Sequence, residues 1–588
     1  MRALSLFAVF AVAKALILCF HPVQLSPLLP LVVLGQDAAA AIVFAIIDWL
    51  LLRVAKGRPW PGWVLYACAV LYTAINVSVA RVLATPLTWP MLRAARGTLA
   101  DSIRHHLSPE NLIWIGIVLA VAIAAPWALR KLPRNLVRAA GAAGGVLAVV
   151  GPVLSGRIET EGAERNALAV LVTSFSPRIE SRALSGDWRE SPFGSGEAED
   201  LSRFRGKARG RNVVLVMLES TGSRSLKPYG ALDDPMPELT RLAQEAWLFE
   251  TTYCVYPESI KGLFSVLTSV YPALDTKPEV HGKVRMPSIA TVLSRQGYRT
   301  GLFHSGRFMY LGMESIVRDR GFDVVEDAGD IGGDHNSSFG IDEPSAVRRV
   351  LEWIDSLPKA SPFFAAYLPI AGHHPYETPR KGPFPDREEP DRYKNALHYS
   401  DEALAQLLDG LRRRGLHQNT IFLFAGDHGE AFNQHEGNYG HTFFVWEENV
   451  RVPCFLLAPG IIVEGLRVRR TASLIDAAPT ILDLLGLEAP VNWQGRSLLD
   501  GSPRTALFFT DYSLALAGLR DGDWKAIHEI ESGRTRLFDL RNDPHEREDV
   551  SSRNKERAEA YRRILLDWCG AQRARIAEWS GQVSGTTK

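Results

Sequence analysis

Carboxylate and imidazole side chains follow three apolar runs in the second half of the chain. Glu219 comes directly after NVVLVML, Asp427 and His428 come after TIFLFAG, and His373 lies just beyond FFAAYLPI. Functional groups of α/β folds gather at the carboxyl ends of the strands, so we expect these side chains to lie together. Each one alone is also compatible with a helix cap or a surface group. Together, oxygen and imidazole donors without a thiolate are typical of a divalent metal site.

The elements that position these residues are predicted from the same apolar runs. Four runs rich in β-branched and aromatic residues, the fourth being VPCFLLAP, alternate with helix-like stretches at 342–356 and 400–413. Runs that are apolar on both faces predict buried strands of a parallel sheet with helices on both sides. Residues 211–550 are therefore predicted to form an α/β domain. The Arg/Glu-rich tail, 551–588, is predicted to form a solvated amphipathic helix over 552–579.

The beginning of the chain has the composition of a membrane domain. Apolar stretches lie at 3–20, 30–52, 62–83, 111–129 and 139–155. Each approaches the ~20 residues that a helix needs to cross ~30 Å of hydrocarbon, so residues 1–155 are predicted to contain five spans. Buried helices of a soluble core are the alternative, but such helices usually carry a polar face. The further spans also argue against a cleaved signal peptide at 3–20.

Basic residues in the loops predict the orientation of these spans. The loops after the second and fourth spans are rich in Arg and Lys, whereas the first connection, HPVQLSP, has neither. The positive-inside rule then puts the N-terminus in the cytoplasm and the α/β domain outside. The third loop also carries Arg93, Arg96 and Arg104, which an amphipathic helix on the outer surface would tolerate. Lys14 and Asp48 are expected to face the bundle interior or an interface.

The overall composition excludes several classes of protein. Among 588 residues, 66 Lys+Arg and 65 Asp+Glu give a net charge of +1, which does not support a nucleic-acid binder. Charged residues at 22% and hydrophobic residues at 46% exclude a largely disordered chain. Five widely spaced cysteines without a CxxC pair argue against a disulfide scaffold or a zinc ribbon. Residues 156–210, rich in Arg, Glu, Ser and Gly, are predicted to be a solvated linker.

From 211 to about 550 the chain resembles the sulfatase-like branch of the alkaline phosphatase superfamily. The resemblance rests on the strand that ends in GDHGE at 426–430, on RVP at 451–453 and on RLFDLRNDPHEREDV at 536–550. His441 stands where many sulfatases have lysine. The family resemblance implies an alkaline-phosphatase-like α/β fold and one divalent metal ion, Mn²⁺, Zn²⁺ or Mg²⁺.

In layout the chain is most similar to the membrane-anchored lipoteichoic acid synthases and phosphoethanolamine transferases of this superfamily. Ser259 stands at the nucleophile position, where those enzymes generally have Thr. Lys261 and Leu263 replace the Pro and Arg of the sulfatase formylglycine signal. Glu219 ends the first strand, where sulfatases have an Asp-Asp pair. The resemblance implies a hydroxyl nucleophile and an extracytoplasmic catalytic domain.

The resemblance also implies the roles of the site residues. The expected metal ligands are Glu219, Ser259, Asp427 and His428. The metal ion would activate the weakly nucleophilic Ser259 hydroxyl and polarise a phosphoryl or sulfuryl oxygen.

Two histidines are expected to act on the substrate. The resemblance implies that His373 and His441 bind its phosphoryl oxygens or protonate the leaving group. The roles of His304, Arg307 and His435 remain open at this point.

These features favour a membrane-anchored, metal-dependent phosphotransferase that moves a lipid head-group phosphoryl unit, of the phosphoglycerol or phosphoethanolamine type, to an extracytoplasmic acceptor. A membrane anchor would hold the enzyme at a high effective concentration of lipid. A sulfatase or phosphodiesterase with water as acceptor, and a non-enzymatic membrane sensor, are the alternatives. The expected partners are the bilayer and a lipid or anionic ester, in the cytoplasmic membrane, with no nucleic acid. The sequence predicts no oligomeric state.

Overall fold

The computed structural model describes residues 1–19, 26–83, 85–94, 108–158, 160, 162–182, 187–194, 199–337 and 339–582. Its N-terminal part is a bundle of apolar helices. These are α1 (Arg2–Leu18), α2 (Leu29–Val54), α3 (Trp60–Leu83), the short α4 (Trp89–Ala94), α5 (Pro109–Leu129) and α6 (Arg134–Ser155).

Four of these helices, α2, α3, α5 and α6, are long and apolar enough to cross a membrane among the described residues. With 17 residues, α1 is about 26 Å long at 1.5 Å per residue, and it packs against α2, α3 and α5. The predicted membrane domain is confirmed, and four of its five predicted spans meet the length of a full crossing. The amphipathic helix expected in the third loop falls mostly on 95–107, outside the described residues.

Lys14 and Asp48, the two ionisable residues expected to face the bundle interior or an interface, each have a partner of opposite charge. The Lys14 ammonium is buried and lies 3.8 Å from the Asp37 carboxylate. Asp48 of α2 accepts a hydrogen bond from Arg2 of α1 at 3.0 Å. Both pairs connect neighbouring helices. The charges are paired because an unpaired charge inside an apolar bundle costs free energy.

The α/β domain is built on a nine-stranded sheet with the order β11-β2-β10-β6-β1-β5-β3-β4, in which the short β9 pairs with β2. Within it only β10 and β9 run antiparallel to their neighbours, so the predicted mostly parallel sheet is confirmed. The strands are β1 (Asn212–Leu218), β2 (Trp247–Tyr253), β3 (Arg299–His304), β4 (Val324–Glu326), β5 (Phe363–Leu368), β6 (Thr420–Gly426), β9 (Arg451–Val452), β10 (Cys454–Leu457) and β11 (Leu466–Ser473). A two-stranded ribbon adds β7 (Ala431–Phe432) and β8 (Tyr439–Gly440).

Helices cover both faces of this sheet. The helices of the domain follow α7 (Ala167–Thr173), which packs on α2 and α3. They are α8 (Pro237–Leu242), α9 (Ser259–Thr268), α10 (Pro278–Gly282), α11 (Ile289–Arg295), α12 (Met313–Val317), α13 (Ala328–Ile331), α14 (Glu343–Ser356), α15 (Glu389–Arg413), α16 (Glu447–Val450) and α17 (Ala477–Leu485), and α18 (Lys555–Trp579) comes last in the chain. Alternate residues of β1 point into two separate cores, Val213 and Leu215 into one and Val214 and Val216 into the other. Burial on both faces explains the unbroken apolar run.

A second, antiparallel sheet was not predicted from the sequence. It consists of β12 (Ala506–Thr510), β13 (Leu516–Asp521), β14 (Trp524–Glu529) and β15 (Thr535–Asp539). The C-terminal helix α18 packs on it and buries Tyr561, Leu565 and Trp568. The predicted helix is present, but the prediction that it is solvated was wrong, because the apolar residues between its charges complete a core.

The segment 156–210, which we call the connector, is also not a solvated linker. Ile179 and Trp188 are buried in the same core as α18. The backbone amide of Leu201 donates to the carbonyl of Leu499 at 3.0 Å. Polar composition misled the prediction, because a few large apolar residues are enough to attach an extended segment to a domain.

Candidate active site

Ser259 lies where the carboxyl ends of two adjacent strands meet the start of a helix. In the register of β1 and β6, Leu218 is opposite Gly426, so Glu219 and Asp427 follow at the same level. Ser259 is the first residue of α9. Its Oγ atom lies 3.0 Å from Glu219 Oε2, 2.7 Å from Asp427 Oδ2 and 3.4 Å from His428 Nε2. The four residues predicted as metal ligands are thus brought together.

Hydrogen bonds orient the donor atoms of this group. Asp427 Oδ1 accepts the backbone amides of Ser220 and His428 at 2.9 and 2.7 Å, which leaves Oδ2 facing Ser259. His428 Nδ1 is 3.0 Å from the Gly429 carbonyl oxygen, so its proton is held there and Nε2 is available as a ligand.

The donor set fits a divalent cation. One ligand atom each from Glu219, Asp427 and His428 lies within 4.8 Å of the others, and all three residues are buried. Burial, together with the Asp427 carboxylate, raises the pKa of Glu219 well above its usual value. A cation would offset this repulsion between two buried carboxylates. Oxygen and imidazole donors suit Mn²⁺, Zn²⁺ and Mg²⁺ alike.

His441 lies beside this group, as predicted, and a carboxylate orients it. Its ring centroid is 4.1 Å from that of His428. Its Nδ1 atom is 2.7 Å from Glu430 Oε2, and Glu430 Oε1 accepts the Tyr376 hydroxyl at 2.7 Å. Burial opposes protonation of His441, but the effect of the Glu430 carboxylate is larger than that of burial and raises the pKa of His441. Glu430 was not predicted as a site residue, although it ends the GDHGE motif.

His373 lies on the far side of His441, with 6.4 Å between the ring centroids. Its Nδ1 atom is 2.6 Å from the His374 carbonyl oxygen. Burial, with a smaller effect of His441, lowers the pKa of His373 to about 4. His373 is therefore a neutral imidazole near pH 7, with Nδ1 held by the backbone.

Glu343 supports the loop that carries His373. Its Oε1 atom accepts the Ser305 hydroxyl at 2.9 Å and the backbone amides of Ile370 and Ala371 at 2.8 and 2.9 Å. It thereby ties the residues after β3 to those after β5. Burial raises the pKa of Glu343 to about 7.

The residues whose roles were left open fall into different places. His304 is buried at the end of β3, with Nδ1 2.9 Å from the Leu368 carbonyl oxygen. His435 belongs to a separate cluster, stacked on Trp446 at 3.9 Å with Nδ1 2.7 Å from Glu448 Oε1. His435, Glu448 and Glu546 lie close enough to hold a metal ion. However, Lys525 already lies 2.8 Å from Glu546, so this second group is an internal ion-pair cluster.

Lys261, which replaces the Pro of the formylglycine signal, is turned away from the site. Its ammonium lies 2.7 and 2.9 Å from the two carboxylate oxygens of Asp511 and 4.3 Å from the centre of the Tyr256 ring. Asp511 was not predicted as a partner of this region, because 250 positions separate the two residues.

A half-buried hydroxyl at a helix start, with two carboxylates and an imidazole at the edge of a mostly parallel sheet, is a set of groups that suits metal-dependent ester cleavage or group transfer. Residues 211–487 match the family model "Sulfatase", and residues 436–564 match the model of the N-sulphoglucosamine sulphohydrolase C-terminal region. The α/β part of the chain therefore contains a sulfatase-family domain at residues 211–487.

Similar proteins include both synthases and sulfatases. The lipoteichoic acid synthase-like protein YvgJ of Bacillus subtilis is 27% identical over 325 residues, 51% of this chain and 52% of that protein. The chain thus spans about half the length of this relative. An arylsulfatase of Clostridium perfringens is 23% identical over 460 residues, 60% of this chain and 93% of that protein. A solved alkaline phosphatase superfamily structure from Vibrio parahaemolyticus has a TM-score of 0.54 at 22% identity and covers 65% of this chain and 90% of that one.

Proposed function

We propose that the protein is a membrane-anchored, metal-dependent transferase that moves a phosphoryl head group from a membrane lipid, through Ser259, to an extracytoplasmic acceptor. The observation that carries this proposal is the contact of the Ser259 hydroxyl with Glu219, Asp427 and His428. The apolar helix bundle ahead of the domain and the similarity to a protein named as lipoteichoic acid synthase-like support a lipid as the donor.

The first half of the reaction uses Ser259 as nucleophile. The hydroxyl donates to Asp427 Oδ2, its shortest contact at 2.7 Å, and this carboxylate takes the proton as Oγ attacks phosphorus. The Oγ–P bond forms while the bond from phosphorus to the diacylglycerol oxygen breaks. His441, fixed through Nδ1 by Glu430, presents Nε2 to protonate that leaving oxygen.

The second half of the reaction regenerates Ser259. An acceptor hydroxyl attacks phosphorus and loses its proton, the bond from phosphorus to Oγ breaks, and Oγ takes its proton back from Asp427. His373, whose Nδ1 is held by a backbone carbonyl, has Nε2 as a proton acceptor for that hydroxyl. A divalent cation held by Glu219, Asp427 and His428 would supply Lewis-acid stabilisation of the developing charge.

We also propose the cytoplasmic membrane as the location, with the α/β domain on the outer side. The basic loops after the second and fourth predicted spans support this orientation. An outward-facing site meets lipid head groups of the outer leaflet, where a tethered domain has a high effective concentration of substrate.

Hydrolysis of a sulfate ester or phosphodiester, with water as acceptor, is the second candidate. Similarity to arylsulfatases favours it. Two observations argue against a sulfatase. Lys261 and Leu263 stand in place of the Pro and Arg of the formylglycine signal, and the Lys261 ammonium forms an ion pair with Asp511.

A paired turnover assay on the full chain in detergent tests the proposal. One substrate is labelled phosphatidylglycerol or phosphatidylethanolamine, the other is an aryl sulfate, and each is tested with Mn²⁺, Zn²⁺ or Mg²⁺. Release of diacylglycerol that disappears in Ser259→Ala is the expected result. Sulfate release without diacylglycerol release would replace the proposal with the second candidate, and lipid turnover that survives in Ser259→Ala would remove Ser259 as nucleophile.

A further inference from the structure

We infer that the connector positions the nucleophile. A series of contacts through Arg165, Glu531, Arg178, Asp511 and Lys261 joins the membrane domain to α9, the helix on which the nucleophile lies. All of these contacts are ion pairs except that of Arg178 with Asp511, which is a hydrogen bond to the backbone carbonyl. Arg178 is the positioning residue at the centre of this series. The inference rests on the proposed function only in taking the first residue of α9 as the nucleophile.

The connector is held against the membrane domain near its beginning. Lys14 of α1 donates to the backbone carbonyls of Ala163 and Arg165 at 2.7 and 2.8 Å. The Asn166 side chain donates to Asp37 of α2 at 2.7 Å. Because Lys14 and Asp37 are buried in the helix bundle, this stretch of the connector has a defined position relative to α1 and α2.

Glu531 then bridges two arginines of the connector. It lies 3.1 Å from Arg165 and 3.7 Å from Arg178. Arg178 forms a two-nitrogen pair with Asp275, at 2.6 and 3.1 Å, and donates to the backbone carbonyl of Asp511 at 2.5 Å. Only 12% of the Arg178 side chain is exposed, and removal of one partner from so buried a pair leaves the other charge uncompensated.

Asp511 links Arg178 to α9 through its carboxylate. Its carboxylate accepts two contacts from the Lys261 ammonium, at 2.7 and 2.9 Å, one from the Tyr256 hydroxyl at 2.7 Å, and one from the backbone amide of Asp275 at 2.6 Å. Lys261 lies two residues after Ser259, and Tyr256 lies three residues before it. Both sides of the nucleophile are therefore tied to a single carboxylate.

We expect these contacts to affect the turnover rate, because they limit the positions that the Ser259 hydroxyl can take. Residues 260–268 of α9 are all buried, so the helix moves with the groups that hold it. A shift of about 1 Å at a reacting atom costs about 100-fold in rate. Arg178 contacts none of the predicted metal ligands, so its effect on turnover has to pass through Asp511 and Lys261.

The test compares Arg178→Met, Arg178→Lys and a control in the same connector, Arg182→Met, in the full chain in detergent. Arg182 is half-exposed and lies 3.6 Å from Asp567. The readouts are kcat and KM on the substrate turned over by the parent, and amide hydrogen exchange over 259–268. We expect Arg178→Met to lower kcat by about 10–100-fold with KM nearly unchanged and faster exchange in α9. Arg178→Lys restores most of both, and Arg182→Met behaves as the parent.

Parent-like kcat and exchange in Arg178→Met, or no rescue by Arg178→Lys, would overturn the inference. If Arg178→Met does not fold, the charge-balanced pair Arg178→Met with Asp275→Asn takes its place, with the same expected results. Failure of the proposed function is recognised separately, since it appears as activity that survives in Ser259→Ala. The exchange measurement reports on α9 whatever the substrate is.

Discussion

Ser259 Oγ lies 2.7 Å from Asp427 Oδ2, although 168 positions separate the two residues. The contact arises because α9 starts above the carboxyl end of β6, at the edge of the sheet where Glu219 also lies. A hydroxyl in contact with two carboxylates and an imidazole is a suitable nucleophile only if a base or a cation activates it.

Removal of the Ser259 hydroxyl is expected to abolish turnover. Ser259→Ala should lower kcat by about 10³-fold or more, since the nucleophile is lost while the rest of the site remains. Ser259→Thr keeps the hydroxyl and should retain measurable turnover. Steady-state kinetics of both variants on the same lipid substrate check this, and equal activity of the Ala and Thr variants would contradict it.

Removal of divalent metal is expected to lower both turnover and thermal stability. After treatment with EDTA, added Mn²⁺, Zn²⁺ or Mg²⁺ should raise the melting temperature, because a ligand at 100 times its Kd stabilises by about 2.7 kcal/mol. Glu219→Gln removes one of the two buried carboxylates and should flatten this response. A thermal shift by the ion that is equally large in Glu219→Gln would exclude Glu219 as a ligand.

Two histidine–carboxylate pairs of equal length offer a matched comparison. His441 is 2.7 Å from Glu430 and His435 is 2.7 Å from Glu448, but only His441 lies against His428. His441→Asn should lower kcat by about 100-fold or more, the range of a lost proton-transfer group. His435→Asn should lower the melting temperature and leave kcat nearly unchanged. The reverse pattern would reassign the two histidines.

The stability of the protein is expected to depend on pH through Glu343. Burial raises the pKa of this carboxyl from 4.5 to about 7, so the folded state binds its proton more tightly than the unfolded state does. The stability contributed by the protonated form is complete below pH 4.5 and is lost as the pH rises to about 7.

Glu343→Gln cannot ionise, so it should gain stability relative to the parent between pH 5 and pH 8, by up to about 3 kcal/mol. Thermal unfolding of both chains across this range measures the difference. Glu352→Gln, an exposed position on the same helix, is the control and should show no such trend. A pH-independent difference for Glu343→Gln would show that the carboxyl does not titrate there.

Local patterns in the sequence determined the two-part architecture and most of the candidate site. Runs such as NVVLVML are apolar on both faces because β1 lies between two cores. The long apolar stretches near the N-terminus have the length and composition of helices that cross a membrane. Glu219, Asp427 and His428 were predicted because each directly follows a buried strand, which places it at one edge of the sheet.

Only the tertiary structure decided the contacts that join distant segments. The second sheet, the burial of Trp568 on it and the pairing of Lys261 with Asp511 depend on long-range packing that no local period encodes. The same holds for the orientation of His441 by Glu430, which needs the ribbon of β7 and β8 to bring them together. The residues that follow the strands can be read from the sequence, and they show which chemical groups the site contains. The side chains that hold and orient those groups come from distant parts of the chain, and only folding brings them into contact.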